Sequence, residues 1–282
     1  MNLKLQVNYK INKMELNMKS LLLMVLLSIF SSTAFSSMHK DEVVYKHGDI
    51  ELKGFVFWDD AFDEERPGIL VGHEKWGIND HALLRAEMLA ESGYVAFVPD
   101  MYGDAANTRK IEEANEWLKD LTDDKNIWRE RITLGLNSLL SHPRVNKDKI
   151  AAIGYSLGAS SVLELAYTGA DIKGVISVHG SLPVATAKEA QDIKAKVLVL
   201  NGGSDNLMSY GFEKVNTFSK VLSNAEISWE LNVYGGAKNG FTDPYADSYG
   251  LNDTSYNIDA DQRSWLRILA FFSELFEDDL SF

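Results

Sequence analysis

The rhythm of hydrophobic and polar positions changes along this chain. In EVVYKHGDIELKGFVFWDD (42–60), Leu52, Gly54 and Val56 alternate with outward-type residues, and His47-Gly48-Asp49 interrupts the run. Period-two alternation around a Gly-Asp turn predicts two paired strands. Beyond it the alternation gives way to unbroken apolar runs: GILVG (68–72), YVAFVPD (94–100), KIAAIGYS (149–156), GVISVHG (174–180), KVLVLNG (196–202) and ISWELNVYG (227–235). Runs of this length suit strands buried on both faces, so the pattern predicts an α/β chain with a mostly parallel central sheet covered by helices.

Helix-type segments separate these runs. NDHALLRAEMLAESG predicts a helix from near Asp80 to Gly93. IWRERITLGLNSLLSHP brings Ile127, Ile132, Leu136 and Leu139 to about one face and stops before Pro143. DADQRSWLRILAFFSELF is a third amphipathic helix. No internal repeat or low-complexity tract is present.

The N-terminal stretch reads differently. MKSLLLMVLLSIFSSTAFSS has a basic start, an apolar run from Leu21 to Phe30 and small residues at Ala34 and Ser36. That predicts a secretory signal over residues 1–36, too short in its apolar part to span a bilayer, followed by a single domain over 37–282. Translation starting at Met14 or Met18 gives an equivalent signal. The expected destination is a periplasm or the extracellular space. There are no cysteines, so neither disulfides nor thiolate metal ligands are available. Losing a leader with four lysines and one glutamate takes the formal charge from −13 to −16. Such acidity argues against nucleic acid and anionic membrane as partners and favours simple solubility. Runs such as DDAFDEE and EDDLSF read as solvated loop and tail.

Candidate chemistry centres on Gly154-Tyr155-Ser156-Leu157-Gly158, set between a strand and a helix. Small residues at both ends allow a sharp turn that presents the serine hydroxyl at a helix amino end. Ser156 is therefore a candidate nucleophile, with a helix cap as the alternative. An oxyanion hole needs backbone amides close by, expected from Leu157 and from the loop VGHEKWGIND, which gathers His73, Glu74, Lys75 and Trp76 after a buried strand. Asp205, in NGGSDNLMS, is the candidate acid of a triad, or else a cap on the next helix.

Together GHEKWGIND, VPDMYGD, IAAIGYSLGAS, GVISVHGSLP, VLVLNGGSD, YGGAKNGFTDPYAD and DADQRSWLRILAFF resemble the dienelactone hydrolase family, exported branch, over nearly the whole of residues 37–282. The resemblance implies an α/β-hydrolase fold and action on small ester or lactone substrates without metal or organic cofactor. Ser156 falls where the family often has cysteine, Glu74 matches a glutamate that contacts the nucleophile in cysteine members, and Asp205 matches the acid. Ala159 stands in place of a glycine often seen after the elbow. Asn239 falls where the family places histidine.

That last departure matters because serine needs a base to take its proton, and an amide has no usable proton affinity. His179, His73 or Glu74 could replace it; His39, His47, His81 and His142 read as leader-proximal, turn or helix-surface residues. Three readings follow: a slow or rewired serine hydrolase, a non-catalytic binding protein that keeps the pocket, or a variant of a working histidine enzyme. Substrate identity and oligomeric state are not written in the sequence.

Overall fold

Eight strands form one sheet in the order β1-β2-β4-β3-β5-β6-β7-β8. The computed structural model describes residues 37–61, 64–205 and 212–276; the predicted signal, residues 1–36, lies outside them, as does the EDDLSF tail. β1 (Met38–His47) and β2 (Ile50–Asp59) make the expected hairpin, in register from Met38↔Asp59 to His47↔Ile50. Its two-residue connection is opened by Gly48 at φ +59°, a left-handed conformation that favours glycine. β2 runs antiparallel to β4 (Val95–Val98), and every later neighbour is parallel: β3 (Arg66–Gly72), β5 (Val145–Tyr155), β6 (Gly174–Val178), β7 (Lys196–Gly202) and β8 (Trp229–Tyr234).

Burial on both faces explains the unbroken apolar runs. One face packs Leu70, Ala152, Val175, Val197 and Val199 under α2 (Ile111–Thr122), α3 (Lys125–Leu140), α4 (Leu157–Tyr167) and α6 (Phe212–Asn224). The other packs Ile69, Val71, Ile153, Ile176 and Leu198 under α1 (Asp80–Glu91) and α7 (Ile258–Phe276). A short helix, α5 (Ala187–Asp192), carries a capping box between Thr186 and Glu189. Caps place two other helix starts: Asn79 Oδ1 accepts from the Ala82 amide at 3.0 Å, and Asp124 Oδ1 from the Asn126 amide at 2.8 Å.

The predicted helix positions hold, while α2, α5 and α6 were not placed from the sequence. α2 and α6 nonetheless carry helical spacing, turning Ala114, Leu118 and Leu121, and Val215, Phe218, Val221 and Leu222, to the core. Of the strands shorter than their apolar runs, β4 and β6 stop for clear reasons. β4 ends at Val98 because Pro99 cannot donate to a ladder, after which the Asp100 carboxylate collects the amides of Lys53, Tyr102, Gly103 and Ala105 at 2.8–3.0 Å. β6 ends at Val178 because His179 turns the backbone to φ +39°. No helix among the described residues is long and apolar enough to cross a membrane.

The sheet and α4 touch backbone to backbone where β3 and β5 end. A Cβ built on Gly154 would lie 2.0 Å from the Gly158 carbonyl oxygen, and one on Gly158 would lie 2.1 Å from that of Gly72. Neither contact can relax without moving a strand from a helix. Gly158→Ala is expected to destabilise the fold by about 3 kcal/mol or more, read as a fall in urea midpoint; an unchanged midpoint would show that this approach is not a constraint.

Candidate active site

The close approach forces the turn that carries Ser156. Its backbone stands at φ 53°, ψ −108°, a region a non-glycine residue occupies only when its surroundings impose it. The Ser156 amide donates to Val178 O at 3.0 Å, fastening the turn to β6. Gly180 completes the seat, since a Cβ there would meet the Ala159 methyl at 2.3 Å. The Ser156 hydroxyl makes no capping bond to α4, so it is not a helix cap. It opens instead onto a cavity of about 460 Å³, which Glu74, Lys75, Trp76, Leu157 and Asn239 also line. The Leu157 amide, at the start of α4, has no earlier helical carbonyl to donate to and stands beside the hydroxyl, as an oxyanion donor must.

Asn239 sits on the loop after β8, with its side-chain amide nitrogen between two acceptors. Nδ2 donates to His179 O at 2.8 Å and to Asp205 Oδ2 at 3.1 Å. Both neighbours are acceptors, so the amide orientation is fixed and only Oδ1, another acceptor, is left over. The structure thus brings Ser156, Leu157, Asp205 and Asn239 together at the carboxyl ends of β5, β7 and β8. It does not bring His179 to the hydroxyl. The fully buried His179 ring lies outside the cavity lining, with Nε2 2.9 Å from Thr242 Oγ1. Burial pushes its imidazole down to about 3.

The loop after β3 divides its work differently from the sequence expectation. His73 points away from the cavity: the Met101 amide donates to its Nε2 at 3.3 Å, so Nδ1 carries the proton and donates to Glu74 O at 2.6 Å. Burial lowers its pKa, in keeping with that neutral form. It braces the loop and cannot touch a substrate. Glu74 lines the cavity, with its two oxygens held by Asn79 Nδ2 at 2.7 Å and His81 Nδ1 at 2.8 Å and no hydrogen bond to Ser156 among the described residues. Burial opposes ionisation of Glu74, and the contact with His81, with the bond from Asn79, outweighs it and holds the carboxyl below its usual range. Lys75 donates to Asn115 Oδ1 at 3.0 Å with its Nζ 5.0 Å from the Trp76 ring, and Trp76 stacks on Tyr249 at 4.3 Å.

His81 corrects the expectation of a helix-surface residue. It is fully buried, receives the Arg85 Nε proton at 3.1 Å on Nε2, and therefore donates from Nδ1 to Glu74. Arg85 in turn bonds Thr242 O and Asp261 Oδ1, each at 2.5 Å, tying α1 to the loop after β8 and to α7. Asp243 and Tyr249, neither singled out as a site residue from the sequence, also line the cavity. The available signal was the phrase FTDPYADSY, whose charge and aromatics follow directly on Asn239. Glu74, His81 and Asp243 bring donor atoms within 4.8 Å of one another, the one such trio among the described residues. It suits a metal poorly, because both His81 nitrogens are already committed and neither offers a lone pair.

Comparison with known proteins places the chain in a family and agrees with its fold. The profile of the Dienelactone hydrolase family matches residues 52–276. A Yersinia pestis protein provisionally named carboxymethylenebutenolidase is 24% identical over 235 residues, covering 79% of this chain and 84% of its own. Among solved structures, m3DLH superposes with a TM-score of 0.82 at 32% identity, covering 85% of this chain and 99% of its own. The dienelactone hydrolase-like promiscuous phosphotriesterase P91, from metagenomic libraries, gives 0.81 at 34% identity with the same coverage. The α/β-hydrolase fold expected from the sequence is the fold these neighbours share.

Two buried neutral histidines set an acid limit on this architecture. In the unfolded chain each would take a proton near pH 6.5, whereas His179 resists until about 3 and His73 is shifted the same way. The unfolded state thus binds more protons as pH falls through 6.5, and stability is expected to decline steadily from there towards pH 3. The difference in urea midpoint between pH 7.5 and 5.0 should shrink in His179→Gln. An undiminished difference would place the acid sensitivity elsewhere.

Proposed function

Because the chain belongs to the dienelactone hydrolase family, we propose that its cavity hydrolyses small carboxylic esters or lactones through Ser156, and does so slowly because Asn239 stands where the family places the catalytic histidine. The observation that carries this reading is the bonding of Asn239. Its Nδ2 takes Asp205 Oδ2, the partner that a triad acid would offer an imidazole, while its remaining atom can only accept a hydrogen bond.

In this mechanism the Ser156 oxygen attacks the substrate carbonyl from the turn between β5 and α4. Negative charge developing on the carbonyl oxygen is held by the Leu157 amide, by an amide of the loop spanning Glu74 and Lys75, and by the amino end of α4. The serine proton is the weak point. Asn239 Oδ1 can orient the hydroxyl but cannot carry the proton to the leaving group, so water must. Absence of a positioned base costs roughly 10²–10⁴ in rate. Glu74 does not fill the role, since both its oxygens are engaged elsewhere. These same facts favour a second reading, a binding protein that retains the pocket without turnover. Neutral phosphotriesters, the substrate class named for P91, are a further probe of the same site.

The reading extends to residues 1–36 as an export signal and 37–282 as the working domain, placing the reaction in a periplasm or outside the cell.

Two experiments test this. With 4-nitrophenyl acetate, Asn239→His is expected to raise kcat/KM by about 10²-fold or more, with the parent a small margin above Ser156→Ala. A parent as fast as Asn239→His would mean that a base acts from elsewhere, and a parent equal to Ser156→Ala would leave only the binding protein. Separately, protein expressed with its complete N-terminus should be recovered outside the cytoplasm beginning at Ser37; an intact N-terminus on cytoplasmic protein would sink the export reading.

A further inference from the structure

One wall of the cavity offers no free hydrogen-bond donor. α2 contributes Leu118 and Thr122 to it, α3 contributes Trp128 and α4 contributes Leu157. The donors on these side chains are spent inside the protein. Thr122 Oγ1 donates to Leu118 O at 2.8 Å, on its own helix, and Trp128 Nε1 donates to Ser161 Oγ at 2.8 Å. Ser160 and Ser181, which also line the cavity, bond to one another: Ser160 Oγ donates to Ser181 O at 3.1 Å and lies 2.8 Å from Ser181 Oγ. Polar atoms reach the cavity instead from the loops after β3 and β8, through Glu74, Asn239 and Asp243.

A wall of this kind suits hydrocarbon. An alkyl chain laid against it sheds its water without stranding a protein donor, and each methylene buried is worth about a two- to fourfold gain in affinity. Trp128 has a second property, which is that it is held. Ser161, which receives its N–H, donates in turn to Leu157 O at 2.9 Å, one residue from the nucleophile. The indole is thereby fastened to the first turn of α4, the turn that begins with the Leu157 amide. Swinging the ring aside would give up that bond and its packing against the core, so it acts as a fixed stop.

We propose that this wall receives the hydrocarbon arm of the substrate and that Trp128 limits the length of that arm, so that the cavity prefers esters with a short alkyl chain to long-chain ones. The proposal rests on the reading of this cavity as the ester site, and makes Trp128 a specificity-determining residue of that site.

The test uses Ser156→Ala, which lacks the nucleophile, titrated calorimetrically at pH 7 with methyl butyrate, methyl hexanoate and methyl octanoate. Affinity is expected to rise from butyrate to hexanoate by about two- to fourfold per methylene and then to level off at octanoate. Adding Trp128→Ala should remove the stop and raise the octanoate to butyrate affinity ratio about tenfold or more, with a urea midpoint showing that the variant is folded. Should that variant fail to fold, Trp128→Phe keeps a smaller ring in place and is expected to move the ratio in the same direction by a few-fold. A ratio unmoved in the folded variant, or an affinity that climbs without a break through octanoate in its parent, overturns the proposal. Three esters binding equally would remove the hydrocarbon arm and leave the ester site standing, whereas none binding would remove both.

Discussion

One close packing constraint organises this molecule: α4 starts so near the ends of β3 and β5 that only backbone fits between them. Gly72, Gly154 and Gly158 meet there with no room for a methyl group. The chain can leave β5 and enter α4 across this gap only by a sharp turn, and that turn puts Ser156 at positive φ with its hydroxyl outward. Backbone strain of this kind costs of order 1–3 kcal/mol and persists only where the surroundings over-determine it. Here the sheet on one side and α4 on the other do so. Exposure of the hydroxyl, the free Leu157 amide and the helix amino end behind it all follow from one local geometry.

Beneath the cavity a second set of interactions fixes the loops that close it. Arg85 on α1 reaches Thr242 and Asp261, while His81 one turn earlier holds Glu74. Charge at the centre is balanced by partners on three separate segments, so removing one partner would strand another in low dielectric. Loops after β3 and after β8, far apart in sequence, are thereby locked to one helix. Their registration matters because the oxyanion-side loop and Asn239 arrive from these two loops.

Much of this was legible in the sequence, for physical reasons that also mark where reading failed. Strands β3, β5, β6 and β7 announce themselves because burial on both faces makes their central runs almost wholly apolar. The elbow was legible because its small residues are demanded by packing. His81 was not, because α1 places His81, Ala82, Arg85, Ala86, Leu89 and Ala90 on its buried stripe. Polarity argues for the outside of a helix, and here two polar residues satisfy each other and a carboxylate on the inside. His179 was misjudged for a related reason: it lies at the end of β6, the correct edge of the sheet, but its reversed backbone sends the ring under the site instead of into it. α2 and α6 were overlooked although their apolar residues recur at helical spacing, Ala114, Leu118 and Leu121 in one and Val215, Phe218, Val221 and Leu222 in the other.

Position 239 separates what folding requires from what proton transfer requires. Folding asks of position 239 only that buried acceptors be met, and the asparagine amide meets both Asp205 and the His179 carbonyl with its two N–H groups. An imidazole at this position would serve Asp205 with one N–H and keep a second nitrogen for proton transfer. Stability therefore does not distinguish the two side chains strongly, since each satisfies the carboxylate. Catalysis does, because it depends on the atom that folding leaves unused. In asparagine that atom is a carbonyl oxygen, able to hold a hydroxyl in place and unable to take its proton. Everything that positions the serine is thus retained independently of whether position 239 can accept a proton.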